Sequence, residues 1–136
     1  MTIESELYQH LESNFSGPTF AWISENVNFR AAPSTYYIAP VVELISSEVL
    51  EVPYESSDVR RNYRFGLNIL APYDQGTSTT RTYITSLTVL YSKKDIATSN
   101  YKYYFEVLES RSGFTSTVSP EHFETPVYVD FRVYSA

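Results

Sequence analysis

The stretch that decides the fold is RRNYRFGLNILA, residues 60–71. Apolar side chains occupy every second position from Tyr63 to Ala71, and arginine, asparagine and glycine occupy the alternate positions from Arg60 to Asn68. A period of two is the pattern of a β-strand that turns one face towards a core and the other towards solvent. We therefore predict a strand over 60–71, with these apolar residues on its buried face: Tyr63, Phe65, Leu67, Ile69 and Ala71.

Four other segments carry strand patterns. Residues 36–45 are rich in β-branched and aromatic side chains, although Pro40 within them points to an edge strand or a bulge. Residues 101–107 and 127–134 alternate apolar and polar positions. AWISENVNFR, residues 21–30, contains the only tryptophan, and its alternation breaks midway, which predicts a short or bulged strand.

Two segments are predicted to be helices. Thr2 can cap the first helix, and Gly17 followed by Pro18 ends it. The second covers residues 77–91, where an apolar stripe at helical spacing outweighs the many threonines, and Asp74 or a nearby threonine can cap it. The first helix is recognised by four apolar residues at a spacing of four: Ile3, Leu7, Leu11 and Phe15.

The order of these elements predicts an α+β fold, a mainly antiparallel β-sheet with an N-terminal helix and one further helix packed on it. A length of 136 residues fits one domain, 1–136, with a core large enough to need neither disulfides nor a metal. The chain has no cysteine, so thiolate metal sites and cysteine nucleophiles are excluded. No apolar run approaches membrane-spanning length, and we expect neither an export signal nor a membrane anchor.

Charge and aromatic content favour protein contacts over polyanion binding. The net charge of -6 argues against a surface that binds nucleic acid through bulk charge. The chain has 13 tyrosines and eight phenylalanines. Tyrosine favours strands and is enriched at interfaces, because its ring is apolar while its hydroxyl forms hydrogen bonds.

A search for catalytic patterns predicts no active site, no metal site and no cofactor, so we expect that the chain is not an enzyme. His10 and His122 lie on separate elements; we predict a partly covered helix residue and a solvent-facing loop residue, respectively. The four glycines are isolated, so none builds a phosphate-binding loop. No serine lies in a nucleophile-elbow context, and pairs of carboxylates arise by chance among 16 acidic residues.

Two polar segments are predicted to be loops. Residues 46–58 are polar and acidic and contain Pro53, which predicts a long loop or an extended arm, and residues 110–126 join the last two strands. The arginines that follow the first loop have two interpretations: solubilising charge on a strand, or contact with another subunit or partner. The predicted contact residues are Arg60, Arg61, Arg64, Tyr54 and Glu55.

The layout of the chain resembles a known family. The segments that carry the resemblance are AW…ENVNF, YYIAPVVELI, NYRFGLNILAPYDQG and EHFETPVYVDFRVYS, in this order after a short N-terminal helix. From the N-terminal helix to the last of these segments, the resemblance spans nearly the whole chain. They are similar to the tail-terminator, or tail-completion, family of long-tailed bacteriophages.

The resemblance implies a protomer of a homo-hexameric ring at the head-proximal end of the virion tail, assembled in the host cytoplasm. Such a ring binds the last layer of tail-tube protein, ends tube polymerisation and presents the surface that joins the head–tail connector or neck protein. Genome DNA passes through its lumen without specific binding. Two alternatives remain: another virion ring component (neck, head-completion or baseplate), and a tyrosine-rich carbohydrate-binding or adhesion module.

Overall fold

The structure is a computed structural model that describes residues 2–25, 29, 31–49, 59–117 and 119–135. It is an α+β fold dominated by one large, mainly antiparallel sheet, as predicted. Two helices and a 3-10 helix at Ile23–Glu25 accompany the sheet. In chain order the helices and strands are α1 (Ile3–Asn14), β1 (Thr19–Phe20), β2 (Tyr37–Val49), β3 (Val59–Pro72), α2 (Ser78–Tyr91), β4 (Asp95–Ala97), β5 (Tyr101–Phe105), β6 (Glu109–Ser110), β7 (Phe114–Thr115), β8 (His122–Thr125) and β9 (Val127–Ser135).

The predicted strand at 60–71 is confirmed, and as β3 it lies at the centre of the sheet. The strand order is β1-β2-β3-β9-β5-β4. β3 pairs with β2 along most of its length and, on its other side, first with β9 and then with β8. β6 pairs with β9, and β7 pairs with β8. The pairing of β1 with β2 is parallel, and the other pairings described are antiparallel.

Helix α1 forms and ends as predicted. The Thr2 hydroxyl accepts a hydrogen bond from the backbone N–H of Ser5 at 3.1 Å, which satisfies one of the free donors of the first turn. Leu7 and Leu11 are almost fully buried against the sheet. The helix ends at Asn14, and the extended backbone of Phe15 leads out of it towards β1.

Helix α2 is also confirmed, with three of its five threonines on the exposed side. Leu87 and Tyr91 are fully buried. The hydroxyls of Thr82, Thr85 and Thr88 each donate to the carbonyl oxygen four residues earlier, which satisfies them without a strand partner. The predicted cap is not found, since Thr77 precedes the helix without a side-chain capping bond.

Both helices pack on one face of the sheet and enclose an aromatic core. Phe65 of β3 lies 5.4 Å, ring centroid to centroid, from Tyr91 of α2. Phe131 of β9 contacts Tyr63 and Phe105 at 5.3 and 5.0 Å. A smaller cluster on the other face joins Ala21, Tyr37 and Leu70. The core therefore accounts for many of the aromatic residues in the sequence.

The predicted strand over 21–30 is wrong in its described part. The backbone N–H of Ala21 donates to the carbonyl of Ile38 at 2.8 Å, and the chain then turns into the 3-10 helix. Trp22 is half-buried, stacks on Phe20 at 5.4 Å and lies 5.1 Å from Tyr8. The tryptophan thus packs beside the core rather than within a strand, and residues 26–28 and 30 lie outside the described residues.

The two predicted loops are shorter in the structure than in the prediction. β2 continues to Val49, which pairs with Val59, so residues 46–49 belong to a strand with an irregularity between Leu44 and Ser46. The neighbouring strand supplies backbone hydrogen bonds whatever the polarity of the side chains, which is why the polar sequence misled the prediction. Residues 50–58 lie outside the described residues, and the segment 110–126 contains β7 and β8.

Candidate interaction surface

The structure describes three of the five predicted contact residues and places two of them on different faces of the sheet. Tyr54 and Glu55 lie outside the described residues, and Arg60 lies on β3 opposite Glu48 in the backbone register. Arg61 is exposed and follows the parity of the core-facing positions, while Arg64 points to the opposite face. Arg61 and Arg64 therefore belong to different surfaces of the sheet.

Arg64 is held in a fixed position on its face. Its Nε donates to Oδ1 of Asp130 at 2.8 Å and its Nη2 to Oδ2 at 3.3 Å, a two-pronged contact between residues directly opposite on β3 and β9. The hydrogen bond to Asp130 raises the pKa of Arg64 above its usual value. The guanidinium carbon also lies 4.3 Å from the centroid of the Tyr128 ring.

Further arginines and tyrosines extend this arrangement across β9 and β5. Arg111 lies 5.3 Å from the centroid of Tyr128 and donates to its hydroxyl at 3.2 Å. Arg132 lies 6.0 Å from the Tyr104 ring, which meets Tyr134 edge-to-face at 5.5 Å. We call this half-exposed surface the Arg–Tyr face; its residues are Arg64, Tyr104, Arg111, Tyr128, Asp130, Arg132 and Tyr134.

The Arg–Tyr face has the chemistry of a contact surface. Both described helices cover the opposite side of the sheet. Arginine and tyrosine are the residues most enriched where proteins bind one another, because they combine flat apolar area with hydrogen-bond donors. The mutual stacking holds these long side chains in place and lowers the entropy that binding would cost.

Sequence analysis missed most of this face, although part of its signal is visible in the sequence. The alternation of residues 127–134 already places Tyr128, Asp130 and Arg132 on one side of a strand. Their proximity to Arg64 depends on the register of β3 with β9, which joins residues 66 positions apart. Arg111 lies in a segment predicted to be a plain loop, and nothing local in the sequence marks it.

The edge formed by β2 is a second candidate contact surface. Within the described residues β1 pairs with Tyr37 and Ile38, and no other strand pairs with this side of β2. The Val42 N–H points away from β3 and donates to the Tyr8 hydroxyl at 3.2 Å. Pro40, two residues earlier, faces the same way and has no N–H. The predicted edge position of Pro40 is confirmed. Beyond it, Leu44 and Ile45 are 58% and 53% exposed.

A groove lies beside this edge, between α1 and the 3-10 helix. Its volume is about 470 Å³, and Tyr8 and Trp22 form its apolar wall. Glu4, Glu12 and Glu25 supply three carboxylates, and no cationic side chain lines it among the described residues. The groove is therefore complementary to a positively charged side chain with an apolar stem.

The histidines do not form a site together. His10 is half-buried on α1, in keeping with the prediction, and its Nδ1 lies 2.9 Å from the Tyr91 hydroxyl. His122 contradicts the prediction of a solvent-facing loop residue, because it is fully buried on β8. The His122 ring bonds the Ser119 hydroxyl through Nδ1 and the Thr35 carbonyl through Nε2, both at 2.8 Å. The bond to Thr35 joins residues 87 positions apart and fixes β8 against the segment that leads into β2.

The free energy of unfolding should fall as the pH drops from 7.5 to 5.5, in part because of His10. Burial lowers the pKa of His10 below its ordinary value of 6.5, so as the pH falls the unfolded chain takes up this proton more readily than the folded chain does. Urea unfolding at both pH values should show a smaller drop for His10→Asn, which keeps an acceptor for Tyr91 but does not titrate. Equal drops in the two proteins would contradict this role.

Among the described residues, no three or more histidine or acidic side chains are grouped to hold a metal ion. Neither described helix has the length and apolar character needed to cross a membrane. In comparisons with models of protein families and with curated proteins, no family and no relative matches the chain.

Proposed function

We propose that the chain is a structural protein of a bacteriophage virion: a ring-forming tail terminator. In this role it caps the tail tube, ends tube polymerisation and provides the surface that joins the tail to the head connector. The family resemblance described under Sequence analysis suggests this role. The contact surfaces described above support it.

The observation that carries the proposal is the Arg–Tyr face. Its guanidinium groups are oriented by Asp130 and by the tyrosine rings, so the surface is fixed before a partner arrives. A protein that acts as a joint needs contact surfaces on more than one side. The open β2 edge supplies a second surface, directed sideways from the sheet.

Half-exposed tyrosines on an open sheet face also favour the alternative of a carbohydrate-binding module. Sugars bind aromatic residues by lying flat on the ring. Two guanidinium groups already lie over the Tyr128 ring, at 4.3 and 5.3 Å from its centroid, and this leaves it less suited to a sugar. Binding to a glycan array by a chain that forms no rings would favour this alternative.

The test is to add the purified chain to the tail-tube protein of the same phage while tubes assemble, and to image the tubes by negative-stain microscopy. A terminator gives density at one end of each tube and a tube length that falls as more chain is added. Tubes that elongate without limit and carry no end density would overturn the proposal. Density on a baseplate or on an isolated connector instead would identify a different virion ring.

Arg61→Glu should weaken tube capping about tenfold, or ~1.4 kcal/mol, with little effect on folding. Arg61 is exposed, so its reversal costs little stability, whereas reversal at Arg64 would also break the contact with Asp130. Arg81→Glu, an equal charge change at an exposed position on α2, is the matched control. Arg61 lies outside the Arg–Tyr face, so capping at wild-type concentrations by its variant, with an unchanged melting temperature, would show that Arg61 makes no contact with the tube and would leave that face as the candidate surface.

A further inference from the structure

The two open edges of the sheet carry opposite charge. All three lysines of the chain lie at the β4 edge: Lys93 and Lys94 precede β4, and Lys102 on β5 pairs with Ala97. Each lysine is exposed. The opposite, β2 edge adjoins the groove with Glu4, Glu12 and Glu25 described above. We call these the lysine edge and the acidic edge.

Within the part of the chain that the structure describes, both edges have backbone that no further strand pairs with. At the lysine edge, the N–H of Thr98 donates to the carbonyl of Tyr101, and the N–H of Phe105 donates to the carbonyl of Lys94, each at 2.8 Å. In an antiparallel pair the inward-bonded and outward-facing residues alternate, so the backbone groups of Asp95 and Ala97 face outward. On β2, Leu44 follows the amide that Tyr8 satisfies and lies at the irregularity of the β2–β3 pairing, where no other described strand pairs with the outer side of β2. Unpaired strand edges are natural sites for strand addition.

We propose that the lysine edge of one copy of this chain docks on the acidic edge of the next copy. β4 then lies along the exposed part of β2, where Leu44 and Ile45 provide apolar area. A lysine reaches the groove, with its stem on Trp22 and its ammonium among the carboxylates. This contact rests on the proposed ring and identifies the surfaces that would build it.

Charge selects a head-to-tail contact over a symmetric one. If two acidic edges met, or two lysine edges, like charges would face each other across the interface, which costs several kcal/mol in close contacts. A contact between unlike edges repeats from copy to copy and closes into a ring when the rotation per step allows. Salt should weaken the association, since the charges are exposed.

The test uses two charge-reversed chains. The lysine-edge variant carries Lys93→Glu, Lys94→Glu and Lys102→Glu, and the acidic-edge variant carries Glu12→Lys and Glu25→Lys. In sedimentation velocity each should lose self-association by tenfold or more. An equimolar mixture should regain assemblies larger than dimers, since each contact again joins unlike charges. Arg81→Glu should associate like the wild type. A mixture that stops at dimers, or variants that associate normally, would falsify the head-to-tail contact.

A second measurement uses the absence of cysteine in the chain. The two single-cysteine variants, Ile45→Cys and Ala97→Cys, are mixed at high concentration, once without tail tubes and once with tail tubes present. A short bismaleimide then cross-links cysteines that lie close together. Cross-links between position 45 and position 97 support the contact. Cross-links that join position 45 only to position 45, or position 97 only to position 97, would overturn the contact. The absence of cross-links both with and without tail tubes would also overturn it.

The two proposals can fail separately. If the lysine-edge variant caps tubes as the wild type does, the docking contact is wrong while the terminator role stands. If the mixture and the cross-links behave as expected but the rings leave tube growth unchanged, the contact stands and the terminator role fails.

Discussion

Phe65→Ala should lower the free energy of unfolding by about 3–5 kcal/mol, a large part of the stability of an ordinary domain. Phe65 is fully buried at the centre of β3, between Tyr8 of α1 and Tyr91 of α2. The truncation leaves a cavity under both helices that the surrounding structure closes only in part, so lost burial and lost ring contacts add together. The melting temperature should fall by about 10–20 °C.

The matched control is Phe114→Ala, the same chemical change on β7, where the side chain is 43% exposed. It should cost no more than about 1 kcal/mol, because much of the ring already contacts water. Urea unfolding followed by circular dichroism compares both variants with the wild type. Equal losses for the two would show that Phe65 does not hold the helices on the sheet.

Regular elements whose signal lies within the element itself could be predicted from the sequence. The alternation from Tyr63 to Ala71 encodes both the strand and its buried face, and β3 buries these residues. Thr2 and the spacing of Leu7 and Leu11 encode α1 with its cap and its core-facing side. In each case the periodic burial of side chains dominates the energy, and periodicity is visible in the sequence.

The remainder depends on partners distant in the chain. His122 looks like a loop residue, yet it is buried because its Nε2 meets the carbonyl of Thr35, 87 positions away. Residues 46–49 look like a loop because they are polar, yet β3 completes their backbone pairing. A local pattern carries no record of such long-range contacts, so sequence analysis cannot weigh them.

The candidate interaction surface, too, could be predicted from the sequence only in part. An arginine cluster near 60–64 is plain in the sequence, and it led to Arg61 and Arg64 as contact residues. The sequence does not show that these two arginines lie on opposite faces of the sheet, where each has different neighbours. Arg64 gains its environment from Asp130 and Tyr128 on β9, and that pairing follows from sheet register alone.

A buried carboxylate links the first helix to the edge of the sheet formed by β4 and β5. Glu6 on α1 is 7% exposed and accepts three hydrogen bonds. The donors are the hydroxyl of Thr98 at 2.5 Å, the hydroxyl of Tyr103 at 3.1 Å and the side-chain amide of Asn100 at 3.2 Å. Burial, and secondly the charge of Glu6, raise the pKa of Tyr103, which keeps its hydroxyl a donor. The network fixes α1 against the turn between β4 and β5.

Glu6→Ala should therefore cost about 2–3 kcal/mol, because it leaves partly buried donors without an acceptor. Glu6→Gln should cost less, since its carbonyl can still accept from Tyr103. Glu12→Ala, the same truncation at an exposed position of α1, should change stability by no more than about 0.5 kcal/mol.

A double-mutant cycle with Tyr103→Phe isolates the direct bond. The double variant should be more stable than the sum of the two single losses predicts, by about 1 kcal/mol, because the bond can be lost once but not twice. Each free energy comes from urea unfolding at pH 7.5. Strictly additive losses would mean that Glu6 and Tyr103 stabilise the fold independently, and that the link between α1 and β5 lies in the apolar contacts of Leu7 and Leu11 instead.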